Sequence, residues 1–200
     1  KIAAIELYEF IEDKLTDKNL EAGLFHTYKN NQARYPAFLD DYAYYIQACI
    51  KLQEITSNQQ YLYRANKLTS FVLEHFSDNE SCLLYYTQKG QKDIIVRKIE
   101  IYDGATPSAN SIMAQNLLYL GIVFDNPKWN SKAIDMLQSV FNALKKYPSS
   151  FAVWADIYIM QTVGIYEIAI TGKNFKNSLN EILKAYIPNK ILQGCKEEMD

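Results

Sequence analysis

The sequence lacks the features that mark several large functional classes. Its 200 residues carry only three cysteines, Cys49, Cys82 and Cys195. They are odd in number, far apart and without CxxC or Cys/His spacing, which argues against a disulfide framework and a zinc site. A reducing, cytoplasmic setting is therefore expected, with no cofactor and no metal. No run of about 18 uncharged apolar residues occurs, so no membrane contact is expected, and no signal peptide is legible. Lysine and arginine form no cluster, and the formal net charge is −2. That balance removes the electrostatic case for nucleic acid. No serine-nucleophile motif, phosphate loop or metal-ligand cluster is found, which disfavours serine hydrolases and nucleotide-binding enzymes.

What is present is apolar residues and tyrosine. A hydrophobic share of 48% suffices for one substantial core. Tyrosine occurs 16 times against nine Phe and two Trp. A tyrosine buries its ring and keeps a hydroxyl for water or ligand, so this richness suits a polar, aromatic-lined cavity. Compositional drift toward Tyr and Asn explains it equally well. The chain opens at Lys1, already in a helical pattern, which reads as part of something longer.

Helical periodicity dominates. Ile2, Ile5, Tyr8, Phe10 and Ile11 predict a first helix ending near Asp17–Asn19, followed by a loop or short extended pair over Leu24–Tyr35. Asp40 or Asp41 is the expected N-cap of a helix reaching about Glu54, apolar over most of its circumference. An amphipathic helix is expected over Asn58–Phe76. Leu83–Tyr86 and Ile94–Val96 look like two short strands joined through Lys89-Gly90. Thr106 with Pro107 is the expected start of a helix running to about Gly121, and Asn126-Pro127 of another. Phe151–Val163 predicts a further helix, apolar nearly all round. The rhythm is of inner and outer helices paired in hairpins. Tyr166–Gly172, Phe175–Tyr186 and Lys190–Leu192 then predict a β-α-β tail. The expected domains are residues 1–165, helical, and 166–200, a small α/β appendage.

Two polar helix mouths could carry chemistry. Asp40 and Asp41 are adjacent carboxyls, readable either as dipole-stabilising groups alone or as a cap plus a general acid/base. A glycosidase would need a second carboxyl about 5–10 Å across the cavity. Asp103 is its natural candidate, with Glu100 behind it. Around Asp103 stand the Thr106, Ser108 and Ser111 hydroxyls and the Asn110 amide. This cluster is either a richly capped helix or a binding mouth, and Asn110 has no propensity reason to occupy a first turn. His26, near Tyr28 and Arg34, could line a pocket, whereas His75 late in a helix reads as structural. Trp154 and Tyr158 form either a stacking platform or core.

FLDDYAYYIQACIKL at Phe38–Leu52, YLYRANKL at Tyr61–Leu68, VRKIEIYDGATPSANSIMAQNLLYL at Val96–Leu120 and YIPNK at Tyr186–Lys190 carry a resemblance. In that order they resemble YyaL-type, spermatogenesis-associated thioredoxin-like proteins, with Ala109 where that family commonly has Gly. The resemblance implies the C-terminal part of a longer parent. Its helical hairpins would form part of an α/α toroid similar to six-hairpin glycosidases and sugar epimerases, and its thioredoxin-like domain is absent from this sequence. It implies a carbohydrate-active or sugar-binding role with Asp40, Asp41 and Asp103 as catalytic carboxyls. Tyr42, Ser108, Asn110, His26 and Trp154 would then bind substrate. The alternative is a non-catalytic scaffold packing on the thioredoxin-like domain of the same parent and on protein partners. Geometry discriminates: carboxyls and Asn110 facing one cavity favour binding, and engagement with their own helix ends favours the scaffold. Part of a toroid should also leave an apolar face open, so dimerisation of the isolated piece is expected.

Overall fold

The computed structural model describes residues 1–91 and 94–196. Among these, the chain forms α1 (Ile2–Lys14), β1 (Phe25–Lys29), β2 (Gln32–Pro36), α2 (Leu39–Thr56), α3 (Gln60–His75), α4 (Ala109–Val123) and α5 (Pro127–Lys146). A 3₁₀ turn at Pro148–Ser150 leads into α6 (Ala152–Val163), β3 (Tyr166–Thr171), α7 (Phe175–Lys184) and β4 (Lys190–Cys195). The body is mainly helical, as its periodicity requires. The first helix stops at Lys14, short of the expected Asp17–Asn19, because Asp17 turns back to hydrogen-bond Gly23 O and Asn19 N–H.

Two helical hairpins make the core. Ser57, in the left-handed region at φ 58°, ends α2 and lets α3 return along it. Asp125, at φ 47°, does the same between α4 and α5. Turns this short force antiparallel neighbours. Helices α2 and α4 are buried on most sides and pack on each other, whereas α3 and α5 bury one stripe. In α5 that stripe is Trp129, Ala133, Met136, Leu137, Val140 and Leu144, the spacing of one helix face. The inner and outer pattern read from sequence holds for these four helices. Helix α6 departs from it. Trp154 and Ile157 are buried, but Tyr158, Ile159 and Val163 face solvent.

Close approach of α4 and α5 depends on Gly121. A Cβ there would collide with the Asn130 side chain, lying 2.8 Å from its Cγ and 3.1 Å from the Asn130 backbone nitrogen. Gly121→Ala should therefore force the two helices apart and cost about 1–3 kcal/mol, despite alanine's better helix propensity. Urea unfolding checks this, and an unchanged midpoint would show that Asn130 simply moves aside.

Helix α1 has no fully buried residue. A polar clamp holds it instead: Glu12 Oε1 accepts from the Tyr45 hydroxyl at 2.6 Å and from Arg64 Nε at 2.8 Å. Tyr8 adds ring contacts with Tyr45 and Tyr61. Beside this clamp, burial pushes the Cys49 thiol up to about 12.

The β-structure lies partly where expected. The segment 25–36 is an antiparallel hairpin turning through Asn30 and Asn31, both at positive φ, the turn that suits strand twist. The strands expected at Leu83–Tyr86 and Ile94–Val96 are absent. Leu84 gives both its backbone groups to the Asn110 side chain, so nothing remains for a ladder. The β-α-β tail forms as expected, with β4 continuing to Cys195 and β3 parallel to it. It sits on α2: Gln53 Nε2 donates to Gln193 Oε1 at 2.8 Å. A Cβ at Gly194 would press on Ser57 Oγ and Phe175.

Candidate binding cleft at the N-terminus of α2

The two polar mouths have different fates. At the first, neither aspartate is the N-cap; Phe38 is, with Asp40 and Asp41 in the first turn. Leu39 N–H reaches Tyr86 O, and Asp41 Oδ2 reaches back to accept from the N-cap Phe38 N–H at 2.9 Å, the acidic half of a capping box. The same Asp41 oxygen accepts from His26 Nδ1 at 2.8 Å. Asp41 therefore positions His26, a residue of the neighbouring hairpin.

Asp40 has no capping duty. Burial pushes its carboxyl pKa upward, and the charges of Glu100 and Asp41 push the same way. The Tyr86 hydroxyl and His26 partly oppose this. Tyr86, raised to about 12 by burial and these acids, stacks on Phe38, and His26 meets the other ring edge-on. A cleft of about 340 Å³ opens here, lined by His26, Asp40, Asp41, Tyr44 and Tyr45 with Leu15 on its apolar wall. A half-buried acid whose pKa is raised, set beside an apolar wall, is the kind of group that general acid/base work employs.

The second mouth is closed by its own chain. Asp103 is 8% exposed. Its Oδ1 accepts from Ser108 N–H at 2.9 Å and Ser111 Oγ–H at 2.6 Å, and its Oδ2 from Val153 N–H at 2.9 Å. One carboxyl thus ties the first turns of α4 and α6 together. Ser108, not Thr106, is the N-cap of α4, its Oγ accepting from Ser111 N–H. Thr106 lies two residues too early, in the exposed turn ahead of Pro107. The Asn110 amide donates to Leu84 O and Glu100 O and accepts from Leu84 N–H. The Tyr44 hydroxyl donates to Pro107 O and links the two mouths.

The remaining candidates fall in the core. Tyr42 is fully buried, accepts from Leu24 N–H at 2.9 Å and stacks on Phe71. Trp154 is fully buried, with Nε1 donating to Ile101 O. His75 packs its ring on Phe71, a structural place. Of the site residues read from sequence, the structure brings together His26, Asp40 and Asp41. Tyr44 and Tyr86 join them without having been anticipated. Tyr44 was legible as the residue one turn beyond Asp40; Tyr86 was hidden by its reading as a strand.

The fold and cleft define a helical-hairpin protein with a small α/β tail and an acid-lined pocket at an inner helix mouth. Its sequence is similar to spermatogenesis-associated protein 20 of Rattus norvegicus, 28% identical over 161 residues, which covers 78% of this chain and 20% of that protein. The human protein of the same name is 27% identical over the same length and shares. An uncharacterised Caenorhabditis elegans protein is 28% identical over 145 residues, 72% of this chain and 20% of the worm protein. The chain thus spans about a fifth of the length of the relatives it matches. No family model matches it. Among the described residues, no group of three or more His, Cys, Asp or Glu is placed to hold a metal ion, and no helix is long and apolar enough to cross a membrane.

Proposed function

We propose that the chain is a ligand-binding part of a larger protein of the spermatogenesis-associated type, and that its cleft takes a sugar or similar hydroxylated molecule. Asp40 is the candidate general acid or base, Glu100 its neighbouring carboxyl, and Asp41 with His26 the pair that orients the ligand. The observation that carries this reading is Asp40 itself. It sits half-buried at a helix mouth with its carboxyl pKa raised, and Asp41 already does the capping. Perturbed carboxyls in clefts are what acid–base chemistry needs. The resemblance to glycosidase- and epimerase-like toroids supports the sugar class, and closure of the hairpins into such a toroid belongs to the same proposal.

A thermal-shift screen of glycans and small metabolites on the full-length parent tests it. At least one sugar should raise Tm in the wild type and not in Asp40→Asn. Equal shifts in both proteins would sink the assignment.

The scaffold reading has its own support. Asp103 and Asn110 spend their polar atoms on the chain, as scaffolding groups would. Exposed apolar side chains on α1 and α6, including Leu7 and Val163, offer a surface to the parent's thioredoxin-like domain or to a second copy.

A further inference from the structure

A second cleft of about 300 Å³ lies on the other side of α2, between the helical body and the α/β tail. Its floor is made of side-chain amides. Gln47 Nε2 donates to Gln115 Oε1 at 3.2 Å, which leaves Gln47 an acceptor and Gln115 two donors for the cleft. Asn116 is 2% exposed and donates Nδ2 to Ala43 O at 2.8 Å. That carbonyl requires a donor, so the amide orientation is fixed and Oδ1 is the group left over. Among the described residues no donor meets it. Asn116 lines the cleft, and this oxygen keeps its acceptor capacity for a ligand hydroxyl there.

The rim favours a neutral ligand. Lys51 is held by Glu54 Oε2 at 2.9 Å, and Lys190 Nζ donates to Ile187 O. Glu54 offsets the Lys51 charge and the Asp156 carboxyl on the same wall opposes that of Lys190, so the rim has no net excess of positive charge for an anion. Tyr186, 92% exposed, stands at the edge of the cleft. An aromatic ring left in water beside a row of amides offers a flat apolar face next to directional donors and acceptors.

We propose that this cleft is a second binding site, for a neutral hydroxyl-rich ligand of one or two sugar-sized rings. Gln47, Gln115 and Asn116 hydrogen-bond its hydroxyls and Tyr186 stacks on a ring. The site is separate from the Asp40 cleft: Gln47 stands about 10 Å of helix rise further along α2.

Isothermal titration of the chain with maltose, cellobiose and chitobiose tests this, with inorganic phosphate as the anionic comparison. At least one disaccharide should bind saturably. Tyr186→Ala, at an exposed position that leaves the fold intact, should weaken it roughly five- to ten-fold. Gln115→Leu should weaken it as well. The proposal is overturned if no disaccharide binds, or if phosphate alone does. It is also overturned if Asp40→Asn removes binding that Tyr186→Ala spares, which would place the sugar in the other cleft.

Discussion

Asp103→Ala should be among the most destabilising single substitutions in this chain. It leaves the Ser108 and Val153 N–H groups and the Ser111 hydroxyl without their acceptor, all at the junction of α4 and α6. An orphaned buried polar group costs about 1–3 kcal/mol. Water entering the junction offsets part of three such losses, so on the order of 3 kcal/mol should remain. At about 2–4 °C per kcal/mol for a chain of this size, Tm should fall by roughly 6–12 °C. Asp103→Asn should fare little better, because an amide NH₂ would face a donor. Thermal unfolding followed by circular dichroism reads this directly. A loss under about 0.5 kcal/mol, the size of an ordinary surface change, would contradict a structural role.

Asp40→Asn should do the reverse, holding or raising stability while removing ligand binding. The physical reason is the sign of the pKa shift. Burial first, then Glu100 and Asp41, raise the folded-state pKa of Asp40 above its unfolded value. The folded state therefore binds the extra proton more tightly, and this contribution to stability is complete below the unfolded pKa. It is lost as pH rises through the carboxylate range toward the folded pKa. An asparagine cannot ionise and so escapes that loss. Relative to wild type, the variant should gain stability as pH rises and gain nothing in acid. A carboxyl whose ionised form the fold disfavours, placed in a cleft, is what a functional group looks like.

Helices with local signals were legible in the sequence. The start of α5 at Asn126-Pro127 was readable because proline at the first helical position both fixes φ and needs no donor partner. The β-α-β tail was readable from its alternation and length. The segment 83–96 was not, because its geometry is set by Asn110 from far along the chain. That one amide takes both backbone groups of Leu84 and the carbonyl of Glu100, which brings Tyr86 against Asp40. No local pattern encodes such recruitment. The two-residue error at the start of α4 has a similar origin. Thr106-Pro107 is a sound start signal in isolation, but Asp103 reaching across to Ser108 and Ser111 favours the later cap.

The aspartates were visible as a set, and only their division of labour was hidden. Asp40, Asp41 and Asp103 all stand at helix mouths, where a carboxyl is stabilised whatever its purpose. Sequence position cannot separate a carboxyl whose oxygens are filled by backbone donors from one that faces water and an apolar wall. Asp103 is the first kind and Asp40 the second.

That contrast is tested most directly by unfolding wild type, Asp40→Asn and Asp103→Asn side by side across roughly pH 3–8. The Asp103→Asn curve should lie well below wild type at neutral pH. The Asp40→Asn curve should meet wild type at the acid end and rise to or above it as pH increases. If Asp40→Asn instead falls below wild type at neutral pH as Asp103→Asn does, both mouths are structural and the cleft loses its candidate acid.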